Sequence, residues 1–319
     1  MPDAVNHRPR FLDEMIGQDA IKQKVSIAIQ AALQREEPLP HCMLTSAGGG
    51  LGKTTLAGVI ATEMFVPFLA TTGQCLATPA DHRNLVIRIE PNSVVLVDEF
   101  HGIGKWAAEE LLILMEEGVL NINAGGVGGS VCVQIPPFTL VAATTYSEAI
   151  SAPLAQRFGL NFRFDFYSDD EICEIILGIF LRWKMEIDEA SALALARRAR
   201  GIPRIGLRLS ERVRDVAQAQ SMNRVTLPTV TMAMKIEGID DVGLAREERH
   251  LLRILADAEP RAVSARSLAL ALGSSIGTVH DVLEPPLVRL GLMTIGAGGR
   301  RLTPKGRLHL EAVCVGEGV

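Results

Sequence analysis

Aromatic residues are scarce in this chain, 4% of 319 residues. That is too few for the stacking platform on which single strands of nucleic acid lay their bases. No uninterrupted apolar run reaches the length of a membrane span, and the polar opening MPDAVNHRPR lacks the apolar core of a secretion signal. Five cysteines (Cys42, Cys75, Cys132, Cys173, Cys314) lie scattered with no C-x-x-C pair. The pattern argues against a disulfide framework or a zinc site and predicts reduced, mostly buried thiols. Positive charge is not in excess either. The formal net charge is -5, so any contact with nucleic acid must come from a local basic patch. What is present, 48% hydrophobic and 22% charged residues, is the composition of a globular, cytoplasmic protein with room for two or three domains.

The apolar runs define three zones. In the first, HCMLTSA, SVVLVDE and FTLVAATT are short, apolar on both faces, and end in polar or glycine-rich sequence. Buried parallel strands joined by helices read this way, and open α/β sheets bind ligands just beyond such strand ends. From Ser168 the pattern turns helical: SDDEICEIILGIFLRWKM, with Ser168 as a cap, then ASALALARRARGIPR and GLRLSERVRDVAQAQ, broken at Gly201 and Pro203. In the third zone EERHLLRILADAE, SARSLALALG and SIGTVHDVLEPPLVRLG predict three helices. LMTIGAGGRRLTPKGRLHL predicts two strands around a glycine-rich tip, which completes a winged-helix plan. The expected fold is therefore α/β: a nucleotide-binding core over residues 1–166, a helical lid over 167–240 and a winged helix over 241–319.

The chemistry centres on TSAGGGLGKTTLA, residues 45–57. A phosphate loop reads Gly, four residues, Gly-Lys-Ser/Thr, here with Ala47 in place of the first Gly. Gly49, Gly50 and Gly52 leave the backbone free to wrap an anion, and Lys53 adds a point charge near β and γ phosphates. Thr54 and Thr55 open the helix whose N-terminus attracts phosphate. The extra methyl of Ala47 matters only if that position needs φ > 0. The Thr54 hydroxyl suits Mg²⁺. In VVLVDEFH, Asp98 can bind that metal directly or through water, and Glu99 can orient and deprotonate the attacking water. A strand-end hydroxyl in TLVAATT, Thr145 in preference to Thr144, can touch the γ-phosphate or the water.

GLGKTTLA, DEFH, IPPFTLVAATT, SAPLAQRFG and RGIPRIGLRLSERVRD, in this order, resemble the RuvB family of AAA+ ATPases, the motors of Holliday junction branch migration. HRPRFLDEMIGQ near the start and LEPPLVRLGL with TPKGR near the end extend the likeness over almost the whole chain. The resemblance implies ATP and Mg²⁺ as cofactors. It makes Arg157 an arginine finger working in the neighbouring subunit's site, and Arg204 a lid cation that senses the γ-phosphate. It places Arg8 and Tyr167 around the nucleotide and gives Arg307 a DNA contact, with Arg300, Arg301 and Lys305 clustered beside it. It implies a hexameric ring around duplex DNA at four-way junctions, with a RuvA-type partner engaged through a hairpin.

Four stretches depart from the family pattern. Ala47, Gly48 and Gly49 replace Gly-Pro-Pro. Met15 stands where an aromatic residue is usual. LNINAGGVGGSVCVQIPPF lacks the hairpin arginines, and the wing is longer, with Leu302 in place of an Arg. Two further readings of the same motifs are a clamp-loader-like ATPase, which has a collar where this chain has a winged helix, and an ATP-binding regulator or scaffold with little hydrolysis.

Overall fold

Where the sequence alternates short apolar runs with amphipathic stretches, the chain builds a parallel sheet flanked by helices. The structure is a computed structural model and describes residues 8–123, 130–146, 148 and 150–316. It divides into two units, Met1–Glu171 with Ile202–Arg204, and Ile172–Gly201 with Ile205–Val319.

The first unit runs α1 (Asp19–Arg35), β1 (Cys42–Ser46), α2 (Lys53–Glu63), β2 (Phe68–Thr72), α3 (Pro79–Val86) and β3 (Val94–Asp98). It continues through α4 (Lys105–Glu117), β4 (Val119–Asn123), β5 (Ser130–Gln134), β6 (Thr139–Thr144), α5 (Ala152–Ala155) and β7 (Leu160–Phe164). Five strands form one parallel sheet in the order β2-β3-β6-β1-β7. β1, β3 and β6 are covered on both faces, so their sequences are apolar throughout. The edge strands β2 and β7 alternate inward and outward residues. Thr71 and Thr72 in β2, and Asn161 and Arg163 in β7, interrupt their apolar sequence, so they escape a search for apolar runs. On α1, Ile21, Val25, Ile29 and Ala32 fall on one buried stripe. The glycine-rich turn between the antiparallel β4 and β5 lies outside the described residues.

The second unit holds most of α6 (Asp169–Arg182), followed by β8 (Glu186–Ile187), α7 (Glu189–Ala199), α8 (Pro203–Ala219), β9 (Arg224–Val225) and α9 (Leu227–Glu237). Ser168 caps α6 as its sequence indicates: Glu171 N donates to Ser168 Oγ and Ser168 N to Glu171 Oε2. The break after α7 comes where Arg200 and Gly201 both take positive φ.

Then come α10 (Arg246–Ala258), α11 (Ala265–Leu272), α12 (Ile276–Thr278), a π-helical turn over Val279–Leu283 and α13 (Glu284–Arg289). The last three make one continuous helix, loosened where Pro285 and Pro286 cannot donate backbone hydrogen bonds. β10 (Met293–Gly296) and β11 (Gly299–Leu302) form the hairpin. One expectation fails. The sequence after Leu302 is not strand but α14 (Pro304–Gly316), started by Pro304 and by Thr303, whose Oγ1 accepts from Gly306 N at 2.9 Å.

Charged groups stitch the helical region to the winged helix inside this unit. Arg198 pairs with Asp241, and Arg200 Nη1 donates to Glu248 Oε1 at 2.7 Å. Gly243 (φ 85°) passes so close to Arg198 that a methyl there would lie 2.2 Å from the Arg198 carbonyl oxygen.

Cys42 and Cys173 are buried, and burial pushes the Cys42 thiol up to about 12. Cys75 and Cys132 are exposed, so the expectation of mostly buried thiols fails for half of these four; the Cys314 side chain lies outside the described residues. No helix among the described residues is long and apolar enough to cross a membrane.

The first unit should be acid-labile. Burial lowers the pKa of His41 to about 4, while its Nδ1 accepts from Leu140 N at 2.9 Å. Its unfolded value lies above its folded one, so the stability present above pH ~6.5 is lost as pH falls toward 4, by roughly 3 kcal/mol. His41→Asn keeps an acceptor for Leu140 N without the titration. It should flatten the fall of the urea midpoint between pH 7 and pH 4.5, followed by circular dichroism.

Candidate functional site

Because β6 lies between β1 and β3, the carboxyl ends of all three strands come together on one edge of the sheet. The loop from Ser46 to Gly52 leaves β1 and enters α2. Positive φ falls at Gly50 (82°) and Gly52 (103°), and not at Ala47, Gly48 or Gly49. The methyl of Ala47 is therefore free of backbone strain. A side chain at Gly48 would meet only the Phe166 ring, at 3.7 Å, whereas one at Gly50 would press on Arg204 Cβ at 2.7 Å.

Lys53 is 6% exposed and points back along the loop, donating to Ser46 Oγ at 2.5 Å. Ser46 in turn donates to the Gly48 carbonyl at 2.6 Å, a side-chain tie across the loop. Burial pulls the Lys53 pKa down; Asp98 and Glu99 push it up and Arg204 lowers it further. Beside it, Thr54 Oγ1 donates to Asp98 Oδ2 at 2.7 Å, and Asp98 Oδ1 accepts from Glu99 N at 2.9 Å. Thr55 follows, half-buried, in the first turn of α2. Two hard oxygen donors this close suit Mg²⁺, which takes one or two protein ligands and completes its shell with water and phosphate. Among the described residues no group of three or more His, Cys, Asp or Glu could hold a metal by itself.

Glu99 has φ 48° and ψ 47°, a left-handed conformation that costs a non-glycine residue about 1–2 kcal/mol and gathers at functional positions. Gly73, after β2, lets the chain approach: a Cβ there would lie 2.6 Å from the Glu99 carbonyl oxygen. The carboxylate stands half-exposed, its Oε2 3.5 Å from His101 Nδ1. The same nitrogen is 3.1 Å from Thr144 Oγ1, which also accepts from Tyr146 N at 3.0 Å. Thr144, at the end of β6, is thus the hydroxyl joined to the carboxylate side of the site. Thr145, the sequence-preferred one, sits half-buried just beyond it.

Ile202–Arg204 belongs to this unit, and Arg204 N reaches the Gly50 carbonyl at 3.4 Å. Tyr167 is buried against Gly17 and Gly52, its hydroxyl 3.4 Å from the Leu51 carbonyl; burial pushes its pKa up to about 12. Arg8 lies exposed at the start of the described residues. Arg157 is not brought to the loop. It is half-exposed after α5 and pairs with Glu116 on α4.

The basic cluster of the wing is smaller than its sequence suggests. Arg300 turns inward and grips Glu284 through two hydrogen bonds, 2.7 and 3.0 Å, with only 11% of its side chain exposed. A bidentate buried pair leaves no guanidinium for phosphate. Arg301 stays exposed on β11, Arg307 is half-exposed and paired with Glu259, and Lys305 donates to the Leu290 carbonyl. Residues 274–288 contain no Lys or Arg, so the third helix carries a cation only at its end, Arg289, while others stand on α10 (Arg246, Arg249, Arg253), α11 (Arg266), the hairpin and α14.

Sequence reasoning missed Ser46, Gly73 and His101, and ranked Thr144 below Thr145. Only His101 carried a signal, its place in DEFH. A direct check of the loop geometry compares two substitutions. Gly50→Ala should weaken ATP-analogue binding about tenfold or more, since left-handed strain adds to the contact with Arg204. Gly48→Ala should stay within about threefold by titration fluorescence, its Cβ meeting ordinary contacts.

Comparison with protein-family models gives three adjoining matches. Residues 7–164 match the P-loop domain of the Holliday junction DNA helicase RuvB, 167–240 the RuvB AAA lid domain, and 241–311 the RuvB C-terminal winged helix domain. A Holliday junction branch migration complex subunit RuvB from Fervidobacterium nodosum is 37% identical over 311 residues, spanning 97% of this chain and 89% of the relative. The solved RuvB Holliday junction branch migration motor of Thermotoga maritima is 36% identical, with TM-score 0.83 over 96% of this chain and 98% of that one. A single-residue variant of the same Thermotoga maritima protein gives TM-score 0.85 at 36% identity, over 95% and 98%. With the loop, the strand-end carboxylates and the winged helix in place, the chain belongs to the RuvB family of P-loop ATPases.

Proposed function

We propose that this chain is an ATP-driven DNA motor that moves duplex DNA to drive branch migration at four-way junctions. The observation that carries this reading is the convergence of Lys53, Thr54, Asp98 and Glu99 at one sheet edge in a chain that ends in a winged helix.

In this reading residues 1–166 bind the nucleotide, 167–240 form the lid and 241–319 the DNA-binding domain. Amides around Gly50 and Gly52 and the start of α2 at Thr55 cradle the phosphates, and Lys53 supplies a desolvated charge to them. Thr54 and Asp98 hold Mg²⁺, whose charge, when bound, offsets that of the phosphate oxygens. Glu99 orients the attacking water and takes its proton, and Thr145 is the hydroxyl that touches the γ-phosphate or that water. Arg8 and Tyr167 flank the nucleotide, and Arg204 answers to the γ-phosphate.

The ion pair of Arg157 with Glu116 keeps the finger at the surface, where a neighbouring copy can receive it. A finger used in trans requires head-to-tail assembly, which closes into a hexameric ring. Arg301 and Arg307 meet DNA phosphates without reading sequence, which suits a translocating motor. A RuvA-like partner would meet the hairpin of β4 and β5.

Two outcomes check the assembly and the activity. Arg157→Ala should bind ATP normally and lose turnover about 10³-fold. Mixing it with a Lys53→Ala chain should restore part of the rate in a coupled ATPase assay; no rescue would remove the finger in trans. On a labelled four-way junction, with and without a RuvA-type protein, ATP should drive strand exchange. Hydrolysis without exchange under both conditions would refute the motor.

A further inference from the structure

We infer that His101 is a positioning residue for Glu99, tying the orientation of its carboxylate to the end of β6. The inference rests on the reading of Glu99 as the general base and adds a residue through which that base is held.

The backbone of Glu99 has little freedom. It is left-handed, at φ 48°, and Gly73 packs so near its carbonyl oxygen that a Cβ there would lie 2.6 Å away. Its carboxylate is 53% exposed, so side-chain partners must decide where it points. Among the described residues His101 is the one cation-capable group within ion-pairing distance, at 3.5 Å. The imidazole is fixed in turn. Its ring stands at 70° to that of Tyr146 with centroids 4.7 Å apart, and Nδ1 faces Thr144 Oγ1 at 3.1 Å.

One ring nitrogen therefore serves two oxygens. Thr144 Oγ1 already accepts the Tyr146 amide at 3.0 Å, which leaves its own hydrogen to give away. If Thr144 donates that hydrogen to Nδ1, the ring shows Glu99 a lone pair and does not hold the carboxylate. If Nδ1 carries the hydrogen, it can donate to Glu99 and draw the carboxylate toward the strand end. Small movements of Thr144 and Tyr146 thus change whether the base is held or released. Tyr146 is 51% exposed, open to whatever docks beside β6.

The test uses the full chain with duplex DNA. His101→Phe keeps a ring against Tyr146 and removes both nitrogens, while His101→Asn places an amide where Nδ1 stood. His101→Phe should lower kcat for ATP about tenfold or more, with KM and fluorescent-ATP affinity within about twofold, and His101→Asn should recover most of kcat. In a Glu99→Gln background His101→Phe should cost nothing further, because both act through one group.

Wild-type turnover in His101→Phe would overturn the inference. So would equal losses in both His101 variants accompanied by weakened nucleotide binding, which marks a packing role. If Glu99→Gln itself hydrolyses ATP at the parent rate, the assignment of the base has failed. If Glu99→Gln is dead while His101→Phe is fully active, only the positioning role has failed.

Discussion

A buried ammonium is the constraint around which the first unit is arranged. Lys53 lies at the N-terminus of α2, nearly closed off from water, and an ammonium in that position is costly unless anions or acceptors face it. Ser46 supplies the acceptor, and Asp98 and Glu99 supply opposing charge from the end of β3. Their carboxylates alone leave the positive ends of the loop amides unmatched. Such a pocket favours a polyanion, and affinity for phosphate follows from the same electrostatics that make the empty arrangement expensive.

The loop shows how a motif tolerates change at one position and not at another. Ala47, Gly48 and Gly49 stand where the family pattern has Gly-Pro-Pro, yet none of the three takes positive φ. The demand for glycine is confined to Gly50, pressed against Arg204, and to Gly52, which turns the chain into α2. In place of prolines, the Ser46 hydroxyl bonded to the Gly48 carbonyl stiffens the turn. Ala47 and its two glycine neighbours thus change how the loop is held without placing a side chain where positive φ is needed.

Charge placement in the second unit separates structural cations from available ones. Arg200 and Arg300 are spent on Glu248 and Glu284 in buried pairs, and the buried Arg198 reaches out to the exposed Asp241. Breaking such a pair leaves an uncompensated charge, so these side chains hold the structure together rather than reach for a ligand. Arg301 stays exposed on β11, as do Arg246, Arg261 and Arg266 elsewhere in the winged helix, and Arg307 is half-exposed.

The sequence by itself determined the three central strands, the phosphate loop, the strand-end acids and the first three helices of the winged helix. Each of these is a local pattern: continuous burial, a fixed motif spacing, or a helical period with its caps. The edge strands β2 and β7 were hidden because neither is a continuous apolar run, β7 turning Asn161 and Arg163 outward and β2 ending in Thr71 and Thr72, and α14 was taken for a strand because its short amphipathic pattern is ambiguous. Only tertiary structure decided that His101 lies between Glu99 and Thr144, 43 residues from the latter, or that Gly73 packs close to the Glu99 backbone. The same holds for Arg300, whose neighbour Arg301 has identical chemistry and opposite exposure. Pairings across long sequence separations depend on sheet order and on which face each residue turns inward, and no stretch of a dozen residues carries that information.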